Sequence, residues 1–154
     1  MSTLKIGICG WGNVATGLYK IAKNNIESIK KQGNLDIEIV VIGARRDNPN
    51  CKPENVIIER DIFNVVNHDI DVMVELIGGV DVAKDLILKA LKKKKHVVTA
   101  NKAVIYNHGD EIFACAKENG VKVLFESSVC AGTPIIKLLT CLLYTSPSPR
   151  DPSI

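Results

Sequence analysis

The spacing of apolar positions along this chain changes repeatedly, and each change marks an element. Leu4-Lys5-Ile6-Gly7-Ile8-Cys9 predicts a strand over 4–9. From 13 to 31 the residues Val14, Leu18, Ile21, Ala22, Ile26 and Ile29 recur at spacings of three and four. That period predicts one amphipathic helix, ended by Gly33. Ile37-Glu38-Ile39-Val40-Val41-Ile42 predicts a second strand, over 37–42, buried on both faces. A polar loop with Asp47, Asn48, Pro49 and Pro53 follows, then a short helix over 61–67. A third strand is expected over 71–77, closed by Gly78-Gly79, and a helix over 82–93 that buries Leu86, Ile87, Ala90 and Leu91. A fourth strand covers 96–100, a helix over 109–118 ends at Gly120, and a fifth strand covers 121–126. Pro134 is placed to open a last helix, at a position whose N–H has no partner in any case. Strands separated by helices pair in parallel through right-handed crossovers, so the fold class is α/β, a doubly wound parallel sheet.

The join between the first strand and the first helix carries the most chemistry. Gly10-Trp11-Gly12-Asn13-Val14-Ala15 follows the strand directly. Gly10 permits a tight turn, Gly12 lets the backbone approach a pyrophosphate, and Ala15 fills the small third position where helix packs on strand. The opening N–H groups of the helix and its dipole then face the anion. The corner predicts dinucleotide binding by Gly10, Trp11, Gly12, Asn13 and Val14; a plain strand–helix turn is the structural alternative.

Bulk composition narrows the partners. With 154 residues, 46% hydrophobic and 24% charged, the chain is about one globular domain long and not disordered. A net charge of +3 is too small to argue for nucleic acid. The run Lys92-Lys93-Lys94-Lys95 reads as a solvated helix end, with cations at the favourable end of the dipole. The five cysteines, Cys9, Cys51, Cys115, Cys130 and Cys141, form no CxxC pair, so reduced thiols fit better than zinc or a disulfide framework. His68, His96 and His108 lack metal-like spacing. The chain enters a strand with no signal sequence, and no apolar run approaches ~18 residues. The expected protein is cytoplasmic, with no membrane partner.

Cofactor choice is read at the end of the second strand. An NAD site usually carries an acidic residue there for the ribose 2′-hydroxyl. Here the strand ends Gly43-Ala44-Arg45-Arg46, and two forked guanidiniums suit a 2′-phosphate. Arg45 and Arg46 therefore predict NADP(H) in preference to NAD(H). Their bland alternative is a pair of solvated charges with Asp47 as local partner.

Three further segments narrow the class: Val74-Glu75-Leu76-Ile77-Gly78-Gly79, His96-Val97-Val98-Thr99-Ala100-Asn101-Lys102, and the stretch 125–136 from Phe125-Glu126-Ser127-Ser128-Val129-Cys130 through Ala131-Gly132-Thr133-Pro134. In this order they resemble the nucleotide-binding half of homoserine dehydrogenase, over 4–139. The resemblance implies an incomplete Rossmann-type domain at 1–139, and an oxidoreductase that interconverts L-homoserine and L-aspartate 4-semialdehyde in threonine and methionine biosynthesis. It implies that the cofactor crosses the carboxyl ends of the first, third and fourth strands, with Gly78, Gly79, Thr99 and Ala100 near ribose and nicotinamide. Lys102 is implied to be catalytic as well as cofactor-binding. An ammonium there can polarise a carbonyl oxygen and protonate the new alkoxide. The family's monovalent-cation loop falls on Glu126, Val129, Ala131 and Thr133, which would hold a sodium-like ion through oxygen ligands; a structural role in packing the fifth strand is the alternative. Cys130 has no histidine near it in sequence and reads as a small residue in a turn, not a nucleophile.

The match stops after Leu139. Residues 140–154, with Ser-Pro alternation and three prolines among the last eight positions, carry no core pattern, and the stretch from about Cys141 to Asp151 resembles translated adapter read-through. That tail is expected to be non-native. The family's substrate-binding and dimerising domain, with an acidic residue and a second lysine, is expected to be absent. The implied parent is a homo-oligomer acting on a small molecule, while this portion alone is expected to be inactive. Two alternatives stay open: another NADP-dependent reductase of the glucose–fructose oxidoreductase type, and a non-catalytic NADP(H)-sensing module. Ala103, where the former usually has proline, favours the first resemblance.

Overall fold

A computed structural model describes residues 2–130, 135 and 136. The elements run β1 (Ser2–Cys9), α1 (Asn13–Asn24), α2 (Ile26–Gly33), β2 (Leu35–Gly43), β3 (Ile57–Glu59), a 3₁₀ helix (Ile62–Asn67), β4 (Val72–Glu75), α3 (Asp81–Lys92), β5 (His96–Thr99), α4 (Lys102–Asn119), β6 (Val123–Leu124) and α5 (Glu126–Cys130). All strand pairs are parallel, in the order β3-β2-β1-β4-β5-β6. The order reverses between β1 and β4, which opens a crevice at the carboxyl ends of those strands.

Alternation along the strands builds a core on each face of the sheet. Cys9, Val41 and Met73 join α3 and α4 through Leu86, Ile87, Leu91 and Ile112. Their neighbours Ile8, Ile42 and Val74 point the other way and pack with Trp11, Ala15 and Tyr19. Both faces are covered, so β1, β2 and β4 end in unbroken buried residues, as expected of parallel strands.

Several boundaries differ from expectation. The first helix is broken at Asn25, whose side-chain Nδ2 donates to the Ile21 carbonyl at 2.9 Å and competes with the helix ladder. The expected apolar stripe is only partly buried. Val14, Ile21 and Ile26 are exposed, and the sheet is met instead by Ala15 and Tyr19. Small Ala15 allows close approach, and Tyr19 makes an edge contact with Trp11 at 5.5 Å. Gly33 does end α2, with Asn34 left-handed after it.

Strand β3, which lies in the expected polar loop, is three residues long and gains its identity only by pairing with β2. Helix α4 begins seven residues before the predicted start, capped by Asn101, whose Oδ1 accepts the Val104 N–H at 3.1 Å. It kinks at His108, beside Gly109, where the sequence pattern placed its start. Residues 126–130, expected as strand end and loop, form α5. Pro134 and the tail 140–154 lie outside the described residues.

Candidate functional site

At Gly10 the chain turns out of β1 with φ of +105°, and a Cβ there would sit 2.7 Å from the Leu76 carbonyl oxygen. Only glycine lets β1 and the β4 exit approach this closely. Gly10 N–H donates to Gly43 at 2.8 Å, and Leu76 N–H to Cys9 at 2.8 Å, so three strand ends are tied at one corner. Gly12 is the N-cap of α1, with no side-chain cap, and a Cβ on it would meet nothing within 4 Å. The first turn of α1 therefore has no side-chain cap and starts at an open corner, the kind of helix start an anionic pyrophosphate uses.

Next to that corner lies a cleft of about 370 Å³, lined by Val14, Glu75, Leu76, Gly78, Ala100, Asn101, Lys102 and Ala103. Gly78 and Gly79 both have positive φ and open space where a Cβ would stand. Lys102 is the first residue of α4 and is exposed at the cleft. The positive end of a helix is an unfavourable place for a structural lysine. Of the residues expected from the glycine pattern or from the resemblance, Val14, Gly78, Ala100 and Lys102 line this cleft, and Gly10 and Gly12 form the corner beside it.

Trp11 and Thr99 do something else with their side chains. The Trp11 ring turns into the second core, and its Nε1 donates to the Cys51 carbonyl at 3.2 Å. The Trp11 carbonyl accepts from Asn48 Nδ2 at 3.2 Å, so this residue clasps the β2–β3 loop to the glycine corner. The Thr99 hydroxyl is buried against Glu75, with Thr99 Oγ1 donating to Oε2 at 2.5 Å. Arg45 and Arg46 are exposed just past β2. Asp47 pairs not with them but with Arg60, at 2.8 Å, and among the described residues neither Arg45 nor Arg46 enters an ion pair.

Glu126 opens α5 and its Oε1 accepts the Ile136 N–H at 3.0 Å; Val129 lies in the same helix, and Ala131 and Thr133 lie outside the described residues. Cys9, Cys51 and Cys115 are free thiols. Burial first, and then the Glu75 charge, pushes the Cys9 thiol up to about 12, so it stays protonated and inert. Among the described residues no helix is long and apolar enough to cross a membrane.

The sequence pattern undervalued Glu75 and Asn101. Its available signal was a carboxylate inside an otherwise apolar strand, and an asparagine one residue before a helix.

Fold and crevice together define a Rossmann-type dinucleotide-binding domain. The family model described as the NAD-binding domain of homoserine dehydrogenase matches residues 10–126. A homoserine dehydrogenase of Pseudomonas aeruginosa is 49% identical over 140 residues, 90% of this chain and 32% of that protein. The crystal structure of the Thiobacillus denitrificans homoserine dehydrogenase superposes with a TM-score of 0.83 at 37% identity, over 89% of this chain and 32% of that one. A hyperthermophilic archaeal homoserine dehydrogenase in complex with NADPH gives a TM-score of 0.72 at 26% identity, over 89% and 48%. This chain belongs to the homoserine dehydrogenase family, of which it carries the NAD-binding domain. It spans about a third of the length of the curated relatives it matches.

Proposed function

We propose that this chain is the cofactor-binding portion of an enzyme that interconverts L-homoserine and L-aspartate 4-semialdehyde, with NADP(H) preferred over NAD(H). The observation that carries it is the uncapped start of α1 at an open glycine corner, in the same crevice as Lys102. The dinucleotide supplies the hydride. Gly10, Gly12 and the first turn of α1 hold its pyrophosphate, and Gly78, Gly79 and Ala100 leave room for ribose and nicotinamide. The Lys102 ammonium polarises the aldehyde oxygen and gives its proton to the alkoxide, so hydride and proton together yield the alcohol.

Arg45 and Arg46 follow β2 with no carboxylate partner among the described residues, which leaves both available to a 2′-phosphate. The related archaeal structure is of a homoserine dehydrogenase in complex with NADPH, in keeping with that choice. Glu126, Val129, Ala131 and Thr133 are proposed to hold a monovalent cation. Residues 1–139 form the domain, and 140–154 is a tail foreign to it. Substrate-binding and dimerising parts belong to the remainder of a homo-oligomeric parent, so this chain alone binds cofactor and turns over negligibly. The free thiols fit a reducing cytoplasmic compartment, and the small net charge fits a small-molecule partner, not nucleic acid.

Titration of the 154-residue chain with NADPH and NADH tests the reading. NADPH is expected to bind at least about tenfold more tightly, a gap of ~1.4 kcal/mol, and Arg45→Ala with Arg46→Ala is expected to close it. Equal affinities in the unaltered chain sink the cofactor preference, and no binding of either sinks the site.

A further inference from the structure

Glu75 is fully buried at the end of β4, and among the described residues it enters no ion pair. A carboxylate in such a place is costly unless every oxygen is satisfied. Its Oε1 accepts the Ile77 N–H at 2.9 Å, and its Oε2 accepts from Thr99 Oγ1 at 2.5 Å. Thr99 stands directly opposite Glu75 in the β4–β5 ladder.

The Thr99 hydroxyl serves on both sides: it donates to Glu75 Oε2 and accepts the Asn101 N–H at 3.0 Å. Asn101 then uses both ends of its amide. Oδ1 caps α4 at Val104 N–H, and Nδ2 donates to the Gly79 carbonyl at 2.6 Å. On the far side, Ser128 Oγ donates to the Thr99 carbonyl at 2.7 Å. Glu75, the Thr99 hydroxyl and Asn101 thus link the Gly78–Gly79 lip to the start of α4, and the Thr99 carbonyl separately holds α5. Lys102 is the residue immediately after the capping asparagine.

We propose that Glu75 is a positioning residue. Through the Thr99 hydroxyl and Asn101 it sets the spacing between the Gly78–Gly79 lip and Lys102, the end of the crevice that takes the nicotinamide. The inference rests on the cofactor site proposed above. A carboxylate is needed because both of its oxygens must accept. A leucine of similar volume would pack as well but would leave the Thr99 hydroxyl proton and the Ile77 N–H without their acceptors. The adenosine end of the crevice, held by Gly10, Gly12 and the β2 exit, takes no hydrogen bond from this chain of groups.

The test compares two ligands on the 154-residue chain by calorimetric titration: NADPH, and 2′,5′-ADP, which lacks the nicotinamide half. Thr99→Val removes the hydroxyl at constant shape, and Thr99→Ser restores it. Thr99→Val is expected to weaken NADPH about tenfold, the order of one lost hydrogen bond, with 2′,5′-ADP unchanged within about twofold, and Thr99→Ser to recover NADPH binding. Asn101→Ser, at a less buried site, keeps a capping hydroxyl but cannot span to Gly79, and it is expected to give the same split if Thr99→Val fails to fold. Equal weakening of both ligands, or of neither, in the folded variants overturns the proposal. If the unaltered chain binds neither ligand, the cofactor site itself fails and the positioning role fails with it.

Discussion

A methyl group on Gly10 would have to overcome both a positive φ and a backbone oxygen 2.7 Å away. Backbone strain alone at such a position costs about 1–3 kcal/mol, so this one residue decides how close β1 and β4 lie at the crevice. Lys102 decides something different. It is exposed, so its loss leaves packing intact and should act on chemistry alone. In a full-length dehydrogenase carrying this domain, Lys102→Ala is expected to lower kcat by at least about a hundredfold, the size of a lost general acid. NADPH affinity should stay within a few-fold. Steady-state kinetics beside a binding titration checks this, and loss of binding without loss of rate would point to a sensor and not an enzyme.

At the scale of elements, the edge of the sheet is fastened by a small polar knot. Strand β3 has only three residues, and Glu59 at its end accepts the Asp61 N–H at 3.2 Å and meets His68 Nε2 at 3.4 Å. The Asp61 backbone N–H first, and then His68, holds the Glu59 carboxyl below its ordinary value of 4.5. A depressed carboxylate stabilises the fold above that ordinary value, and the contribution fades as pH falls through the lower, folded one. Urea unfolding of Glu59→Gln should therefore show a stability deficit at pH 7 that shrinks below about pH 4.5. A deficit that stays constant down to pH 3 would mean the carboxylate charge contributes nothing. Helix α4 teaches a related lesson. Its first turn, Lys102-Ala103-Val104-Ile105, is capped by Asn101 and anchored by the buried Val104.

Across the whole molecule, cofactor binding should appear as stability, because only the assembled crevice holds the ligand. With free NADPH at a hundred times its dissociation constant, linkage adds about 2.7 kcal/mol. For a chain of this size that corresponds to a rise in Tm of about 5–10 °C. Differential scanning calorimetry with NADPH, and with NADH at the same concentration, measures it; an unshifted transition with NADPH contradicts the proposed site. Clasping of the β2–β3 loop by Trp11 makes this a property of the whole fold, since the loop following Arg45 and Arg46 is tied to the glycine corner through Asn48 and Cys51.

The order and type of most elements, the glycine corner and the two-faced burial of the sheet were legible in the residues, because each depends on spacing along a few turns or a single strand. Glycine at 10 and 12 and apolar pairs such as Val41-Ile42 carry their meaning locally. The break at Asn25 and the early start of α4 rest on local asparagine bonds, back to Ile21 and forward to Val104, that the apolar period does not register. The existence of β3 and the exposure of Val14 and Ile21 were not legible, because they depend on which neighbour arrives: β3 is a strand only against β2, and Ala15 and Tyr19 are buried because Trp11 and the sheet stand where they do. Glu75 and Thr99 are 24 residues apart and become partners only when β4 and β5 align in register. Local sequence chooses each residue's backbone preference, whereas hydrogen bonds between distant residues exist only after the strands have paired.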